Sequence, residues 1–239
     1  MSTEVIDLCA PIRWLTSGAA HCFAASSDGG IYDLRAPQKP AYQHRHEPYR
    51  AAVSADGRFV ASGDWNGTLQ VWDINLHRIT NEATPFSRAR ITDLTWIGDT
   101  LVTADAAGIV RLLTNDLRVV RTWSVGSAVR YMGASSRGIA AALTNGTVWK
   151  ASLVTGVTQT VLVGANCTAF GISSDAQTIA IGTDDGEVLV LGAERNLSAY
   201  HFESGSVGCA TFEDDKTLLV CSPSGRIFRI ALTLKEGFP

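Results

Sequence analysis

The chain has 239 residues, 46% of them hydrophobic and 18% charged, with a formal net charge of -3. That is enough apolar sequence for a buried core and too little charge for a disordered chain. The absence of a basic surplus argues against nucleic acid as the main ligand, and no run of about 18 apolar residues offers a membrane span.

The opening, MSTEVIDLCAPIRW, has neither a basic segment nor a continuous apolar run. No secretory signal is expected, and the protein is expected inside the cell, cytoplasmic or nuclear, rather than secreted. From Cys22 the text becomes regular. CFAAS-SDG-GIYDL is an alternating segment, a turn with Asp-Gly, and a second alternating segment. RAPQKPAYQHRHEPYR, from Arg35 to Arg50, holds three prolines and reads as a long irregular connector. FVASGD-WNG-TLQVWDI repeats the first pattern and is followed by TLVTAD-AAG-IVRLLT, IAAAL-TNG-TVWKAS, TIAIGT-DDG-EVLVLG and TLLVCS-PSG-RIFRIAL. Alternation with period two, rich in β-branched and aromatic residues, is the strand signal. Asn-Gly and Asp-Gly are expected in type I′ hairpins, whose two central positions both need positive φ.

Each pair is flanked by further strand-like segments. Upstream lie ITDLTWIGD, VRYMGASS, CTAFGISSD and VGCATFEDD; downstream lie RITNEA, VVRTWSV, TQTVLV and LSAYHF. The turn glycines, Gly29, Gly67, Gly108, Gly146, Gly186 and Gly225, recur every 38 to 41 residues. A four-strand unit repeated at about this period, without helical periodicity, is the pattern of a β-propeller blade. The reading is an all-β chain, a single propeller over residues 1–239 with six four-stranded blades, six being favoured over seven. The last unit has three strands. Either the segment Glu4 to Leu8 supplies its fourth and closes the ends, or the ring stays open for a partner's strand.

The second unit, VSADGRFVASGDWNGTLQVWDI, carries the dipeptide Trp72-Asp73 and resembles a WD repeat; Tyr32-Asp33 is a softer version in the first unit. The resemblance implies a structural histidine in the loop entering a blade, buttressing a polar network, and either His44 or His46 can serve in the second unit. It also implies that the turn between the second and third strands of each blade, and the loop entering it, open onto one face.

Catalytic signatures are absent from the text: no GxSxG, no HExxH, no phosphate-binding glycine loop. His44 and His46 in HRHE lack a second ligand set, so no metal or other cofactor is expected. Cys9, Cys22, Cys167, Cys209 and Cys221 are odd in number with no CxxC pair, and read as buried free thiols in a reducing compartment. Trp72, Trp96, Trp123 and Trp149 fall inside strands and read as packing residues. Trp65 instead lies in a polar turn, where an exposed anchor is the functional reading. Tyr49, Arg50, Arg90 and Arg130 form an aromatic and basic set with it. Asp105, Asp184 and Asp185 are expected to give the same face an acidic side that orients a partner. The expected function is a non-catalytic scaffold binding other proteins in a multiprotein complex. The alternatives are a reader of short, modified or unmodified peptide motifs, and a small-ester hydrolase of the kind reported for a few WD-repeat proteins.

Overall fold

Alternation and evenly spaced glycines resolve into strands and tight turns, with no helix among the described residues. The computed structural model describes residues 6–8, 10–18, 20–84, 88–192, 197–202, 205–223 and 225–232. The chain divides into two compact units, residues 1–129 and 130–239.

The first unit holds three sheets. The first is β1 (Ile12–Gly18), β2 (His21–Ser26), β3 (Gly30–Asp33) and β4 (Tyr42–Gln43). The second is β5 (Pro48–Val53), β6 (Phe59–Asp64), β7 (Leu69–Asp73) and β8 (Arg78–Ala83), and the third β9 (Ile91–Ile97), β10 (Thr100–Asp105), β11 (Ile109–Thr114) and β12 (Val119–Ser124). The second unit takes up the next three. They are β13 (Val129–Ala134), β14 (Gly138–Leu143), β15 (Thr147–Ser152) and β16 (Thr158–Leu162); β17 (Cys167–Ile172), β18 (Ile179–Thr183), β19 (Glu187–Leu191) and β20 (Leu197–His201); and β21 (Cys209–Asp214), β22 (Thr217–Cys221) and β23 (Ile227–Ala231). In every sheet consecutive strands are neighbours, so each is an antiparallel meander.

Packing follows from the second strand of each sheet. β10, β14 and β18 are buried along nearly their whole length, on both faces, and are built largely of Ala, Val, Ile, Thr and Gly. Neighbouring sheets therefore close face to face. Phe23, Ile31, Val60 and Trp72 join the first and second sheets, and Leu69, Val71, Ile91 and Leu101 the second and third. In the second unit, Ala140, Val148, Ile179 and Leu189 join the fourth and fifth, and Ala180, Val188, Leu218 and Val220 the fifth and sixth. Fully burying each of the Val, Leu, Ile and Phe side chains among these is worth about 1.5–3 kcal/mol.

Three expectations change. The hairpin turns are not type I′, because Asp28, Asn66, Ala107, Asn145 and Asp185, which precede the first five turn glycines, are not at positive φ. The glycine N–H instead bonds the carbonyl three residues back, from Ser26, Asp64, Asp105, Leu143, Thr183 and Ser222. This is a type I turn followed by a glycine in the left-handed region. A side-chain acceptor at the first position completes it: Asp64 Oδ1 accepts from the amides of Asn66 (2.9 Å) and Thr68 (2.8 Å). The Arg35–Arg50 connector is not wholly irregular, since it contains β4 and the start of β5. Of the Glu4–Leu8 segment, Glu4 and Val5 lie outside the described residues, while Ile6, Asp7 and Leu8 are in no strand. The sixth sheet has three strands among the described residues.

The second sheet carries a buried polar chain. Tyr42 donates to Ser62 Oγ (2.9 Å), and Ser62 Oγ lies 2.5 Å from His44 Nε2. With the serine proton given to Nε2, the imidazole presents Nδ1–H to Asp64 Oδ2 at 3.5 Å. Tyr42 stacks on Trp72, ring centroids 5.8 Å apart. His44 is the structural histidine and His46 is exposed. Burial raises the Asp64 carboxyl, but the contact with His44 and the Thr68 and Asn66 amides outweigh it, and the group sits below the ordinary carboxylate value. The aspartate of the Trp-Asp dipeptide has a separate local task. Asp73 Oδ1 accepts from the amides of Asn75 and Leu76 (both 3.0 Å), closing the turn after β7.

Two measurements check this account. Gly108 and Gly126 both have positive φ, but a Cβ on Gly108 would sit 2.5 Å from the Ser127 carbonyl oxygen while one on Gly126 meets nothing. In urea denaturation, Gly126→Ala is expected to cost about 1–2 kcal/mol, the penalty of a left-handed alanine, and Gly108→Ala about 3 kcal/mol or more. Asp64, with its folded pKa depressed, contributes stability that is complete above its unfolded value near 4 and is lost as pH falls through the folded value. Asp64→Asn is expected to cost about 2 kcal/mol at pH 7, and the gap to wild type to narrow below pH 4.

Candidate functional site

The loop entering the second sheet, its β6–β7 turn and the loop entering the third sheet converge in the first unit. Trp65 N donates to Glu47 O (3.0 Å), tying the turn to the entry of β5, and Ala106 N donates to Arg90 O (3.0 Å), tying the β10–β11 turn to the entry of β9. Side chains held by these loops form a ladder of alternating rings and guanidinium groups. Arg50 Cζ lies 4.1 Å from the Trp14 ring centroid and 4.6 Å from that of Tyr49. Arg90 Cζ lies 4.5 Å from Tyr49 and 4.4 Å from Trp65. Tyr49 and Trp65 also meet edge to face, centroids 5.7 Å apart. The order is Trp14, Arg50, Tyr49, Arg90, Trp65.

The two ends of the ladder are open, Tyr49 and Arg90 are half-buried, and Arg50 is buried. Trp65 is 46% exposed and Trp14 38%, whereas Arg50 is 7% exposed. Arg50 lies between two ring faces, with Nε 3.7 Å from Asp93 Oδ1. At that distance the contact is electrostatic, and the Nε–H groups of Arg50 and Arg90 have no hydrogen-bond acceptor among the described residues. Arg13 pairs with Glu47 beside the ladder. The arrangement offers an exposed indole stacked on the half-buried Arg90 guanidinium, while the Nε atoms of Arg50 and Arg90 are themselves buried.

The sequence groups Tyr49, Arg50, Arg90 and Arg130 with Trp65; the structure brings Tyr49, Arg50, Arg90 and Trp65 into contact, while Arg130 belongs to the second unit. Sequence reasoning missed Trp14, which lies in β1, alternates in no distinctive way and gives no signal in the text. Arg50, expected as part of an exposed binding set, is instead buried as the inner rung. Asp105 is fully buried. Its Oδ1 accepts from the amides of Ala107 (2.9 Å) and Ile109 (3.0 Å), and Oδ2 pairs with buried Arg111 at 2.8 Å, so it closes its turn rather than facing a partner.

The remaining candidates lie in the second unit. Arg130 Nη1 donates to Asn166 Oδ1 (2.5 Å), and Asn166 Nδ2 donates to Asp184 Oδ2 (2.7 Å). Arg130, Asn145, Gly146, Asn166 and Cys167 line a cleft of about 330 Å³. Burial pushes the Cys167 thiol up to about 12, which suits packing rather than nucleophilic chemistry. Asp185 is exposed and accepts a hydrogen bond from Thr183 Oγ1. Among the described residues, no three His, Cys, Asp or Glu side chains gather as a metal site.

Two desolvated cation–π contacts are worth about 2 kcal/mol or more. Arg50→Ala is therefore expected to lower stability by about 2–3 kcal/mol in urea denaturation. Arg50→Lys is expected to recover less than half of that, because an ammonium cannot stack as a plane between two rings. Trp65→Ala, at the open end, is expected to cost about 1 kcal/mol or less.

The model of the WD domain, G-beta repeat matches residues 40–73, which span β4 to β7. A stretch of 96 residues is 29% identical to the Peroxisomal targeting signal 2 receptor of Schizosaccharomyces pombe. That stretch is 37% of this chain and 30% of the receptor, so the likeness spans less than a third of the relative's length. Among solved structures, the RRP9 WD40 repeats superpose with a TM-score of 0.78 at 17% identity, covering 93% of this chain and 76% of that one. U3-55K superposes with a TM-score of 0.78 at 16% identity, covering 93% and 77%. With a WD repeat matched at residues 40–73, six antiparallel sheets among the described residues and these structural likenesses, the chain has the WD40-repeat β-propeller fold.

Proposed function

We propose that this protein is a non-catalytic, intracellular interaction scaffold, a subunit of a multiprotein assembly, and that the ladder ending at Trp65 anchors its partner. The observation that carries this reading is an exposed indole, Trp65, stacked on the half-buried Arg90 guanidinium 4.4 Å from its ring centroid. Interface hot spots are enriched in Trp, Tyr and Arg because such groups bury large rigid surfaces and pair with defined acceptors. Preorganisation matters equally: Arg50, Tyr49 and Arg90 already hold one another, so little side-chain freedom is lost on docking. The exposed Arg130–Asn166–Asp184 network of the second unit is a further polar contact zone in this reading.

A peptide-motif reader is the second reading. The ladder favours it, since a short segment carrying a carboxylate or phosphate suits the partly exposed Arg90 guanidinium between two rings. One similar protein is by name a receptor for a targeting signal, which supports the same idea. The hydrolase alternative finds no such support. A histidine–serine contact exists, His44 to Ser62, but both side chains are buried inside the second sheet and an ester has no approach to them.

The test is affinity capture from the native cells with tagged wild-type protein and with Trp65→Ala and Arg90→Ala, each first shown to be folded by circular dichroism. A constant partner set is expected with wild type and its loss with Trp65→Ala, corresponding to about 2 kcal/mol or about 30-fold in affinity. Unchanged capture by both variants would remove the ladder from the interface.

A further inference from the structure

Strands β21 and β22 form a hairpin in the sixth sheet, and their register sets Cys209 directly opposite Cys221. Directly opposed residues of an antiparallel pair have Cα atoms about 4.5–5.5 Å apart. A disulfide closes without backbone movement over about 4.4–6.8 Å. Directly opposed residues of an antiparallel pair put their side chains on one face, so both thiols leave the same side of the hairpin, close enough for Cys221 to help hold the Cys209 thiol above its ordinary value, behind the effect of burial. Both are free thiols, Cys209 exposed and Cys221 half-buried.

The other described cysteines differ. Cys167 is buried and its thiol donates to the Ala169 carbonyl. Cys22 is exposed, but the residue opposite it is Ser17. The expectation of uniformly buried thiols is therefore corrected at three positions, Cys22, Cys209 and Cys221. The pair also has a defined place. Gly208 N donates to Cys221 O (2.9 Å) and Gly225 N to Ser222 O (3.0 Å), so the two sulfurs sit where the loop entering the sixth sheet meets its hairpin turn.

We propose that Cys209 and Cys221 form a reversible two-thiol modification site, oxidised to a cross-strand disulfide by low-molecular-weight disulfides such as glutathione disulfide. One cysteine thiolate attacks a sulfur of glutathione disulfide, forming a mixed disulfide and expelling a glutathione thiolate. The second cysteine, as thiolate, attacks the protein sulfur of that mixed disulfide, forming the Cys209–Cys221 bond and expelling the second glutathione thiolate. Two protein thiols are oxidised, one glutathione disulfide is reduced to two thiols, and the two protons end on the released glutathione. The product fixes the β21–β22 register at the end beside the Ser222–Gly225 turn.

Trypsin separates the two cysteines at Lys216, which makes the test direct. The folded full chain is incubated with glutathione disulfide, its remaining thiols are alkylated, and the digest is analysed by mass spectrometry without reductant. The expected product joins peptides 196–216 and 217–226, lighter than their sum by two hydrogen atoms and separated by dithiothreitol. Cys209→Ser is expected to stop at a glutathione adduct on Cys221, and Cys221→Ser at one on Cys209. Should either variant fail to fold, the joined peptides of the wild type still decide. Wild-type protein that keeps glutathione on Cys209 without the link, that returns both cysteines alkylated, or that forms the link only after unfolding in urea would overturn the proposal.

Discussion

The structure depends on second strands that are apolar on both faces. A sheet whose central strand carries Ala140, Ala141 and Ala142, or Ile179, Ala180 and Ile181, has no face to give to water. Each such sheet must lie between neighbours, and small side chains set how near those neighbours come. At Gly63 an added Cβ would fall 2.6 Å from Ile91, and at Gly182 it would fall 2.4 Å from Val207. In both cases the residue met lies at the entry to the following sheet. Close approach there brings each entry loop down onto the preceding hairpin turn.

That approach is what assembles the candidate site. Trp65 is held by its turn, the turn by Asp64 and the glycine after it, and Asp64 by the buried chain through His44 and Ser62. Arg90 enters from the loop before the next sheet, Trp14 from β1 of the sheet before, and Arg50 from β5 of the same sheet. The ladder thus rests on backbone hydrogen bonds rather than on a mobile surface. The acidic residues divide by the same logic. Asp64, Asp73 and Asp105 are consumed by backbone amides within their own turns, whereas Asp184 points outward to Asn166. An aspartate at the end of a strand reads the same in sequence whether it caps the turn or greets a partner.

The cysteine pair follows the same division. A hairpin between β21 and β22 was readable from VGCATFEDD and TLLVCS, but the residue opposite Cys209 depends on a register shift between Phe212 and Asp214. One residue of slip would place the two thiols on different faces. The turn type was misjudged for a related reason. Asn-Gly and Asp-Gly point to positive φ, and the glycines have it, but the preceding residue stays in the ordinary region because a side-chain or carbonyl acceptor three residues back favours the type I turn.

The sequence by itself determined the strands, their order and their period, because alternation and turn glycines act between residues close in the chain. It also pointed to Trp65 in a hairpin turn and Arg90 in an entry loop, whereas Tyr49 and Arg50 open strand β5. Only the tertiary structure decided that Trp14 caps the ladder, that Arg50 is its buried rung, that His44 rather than His46 joins the polar chain, and that Asp105 is closed inside its turn against Arg111. Those outcomes rest on contacts between loops or faces of different strands. Period-two patterning says which face a residue takes and nothing about which side chain of another strand or sheet arrives there.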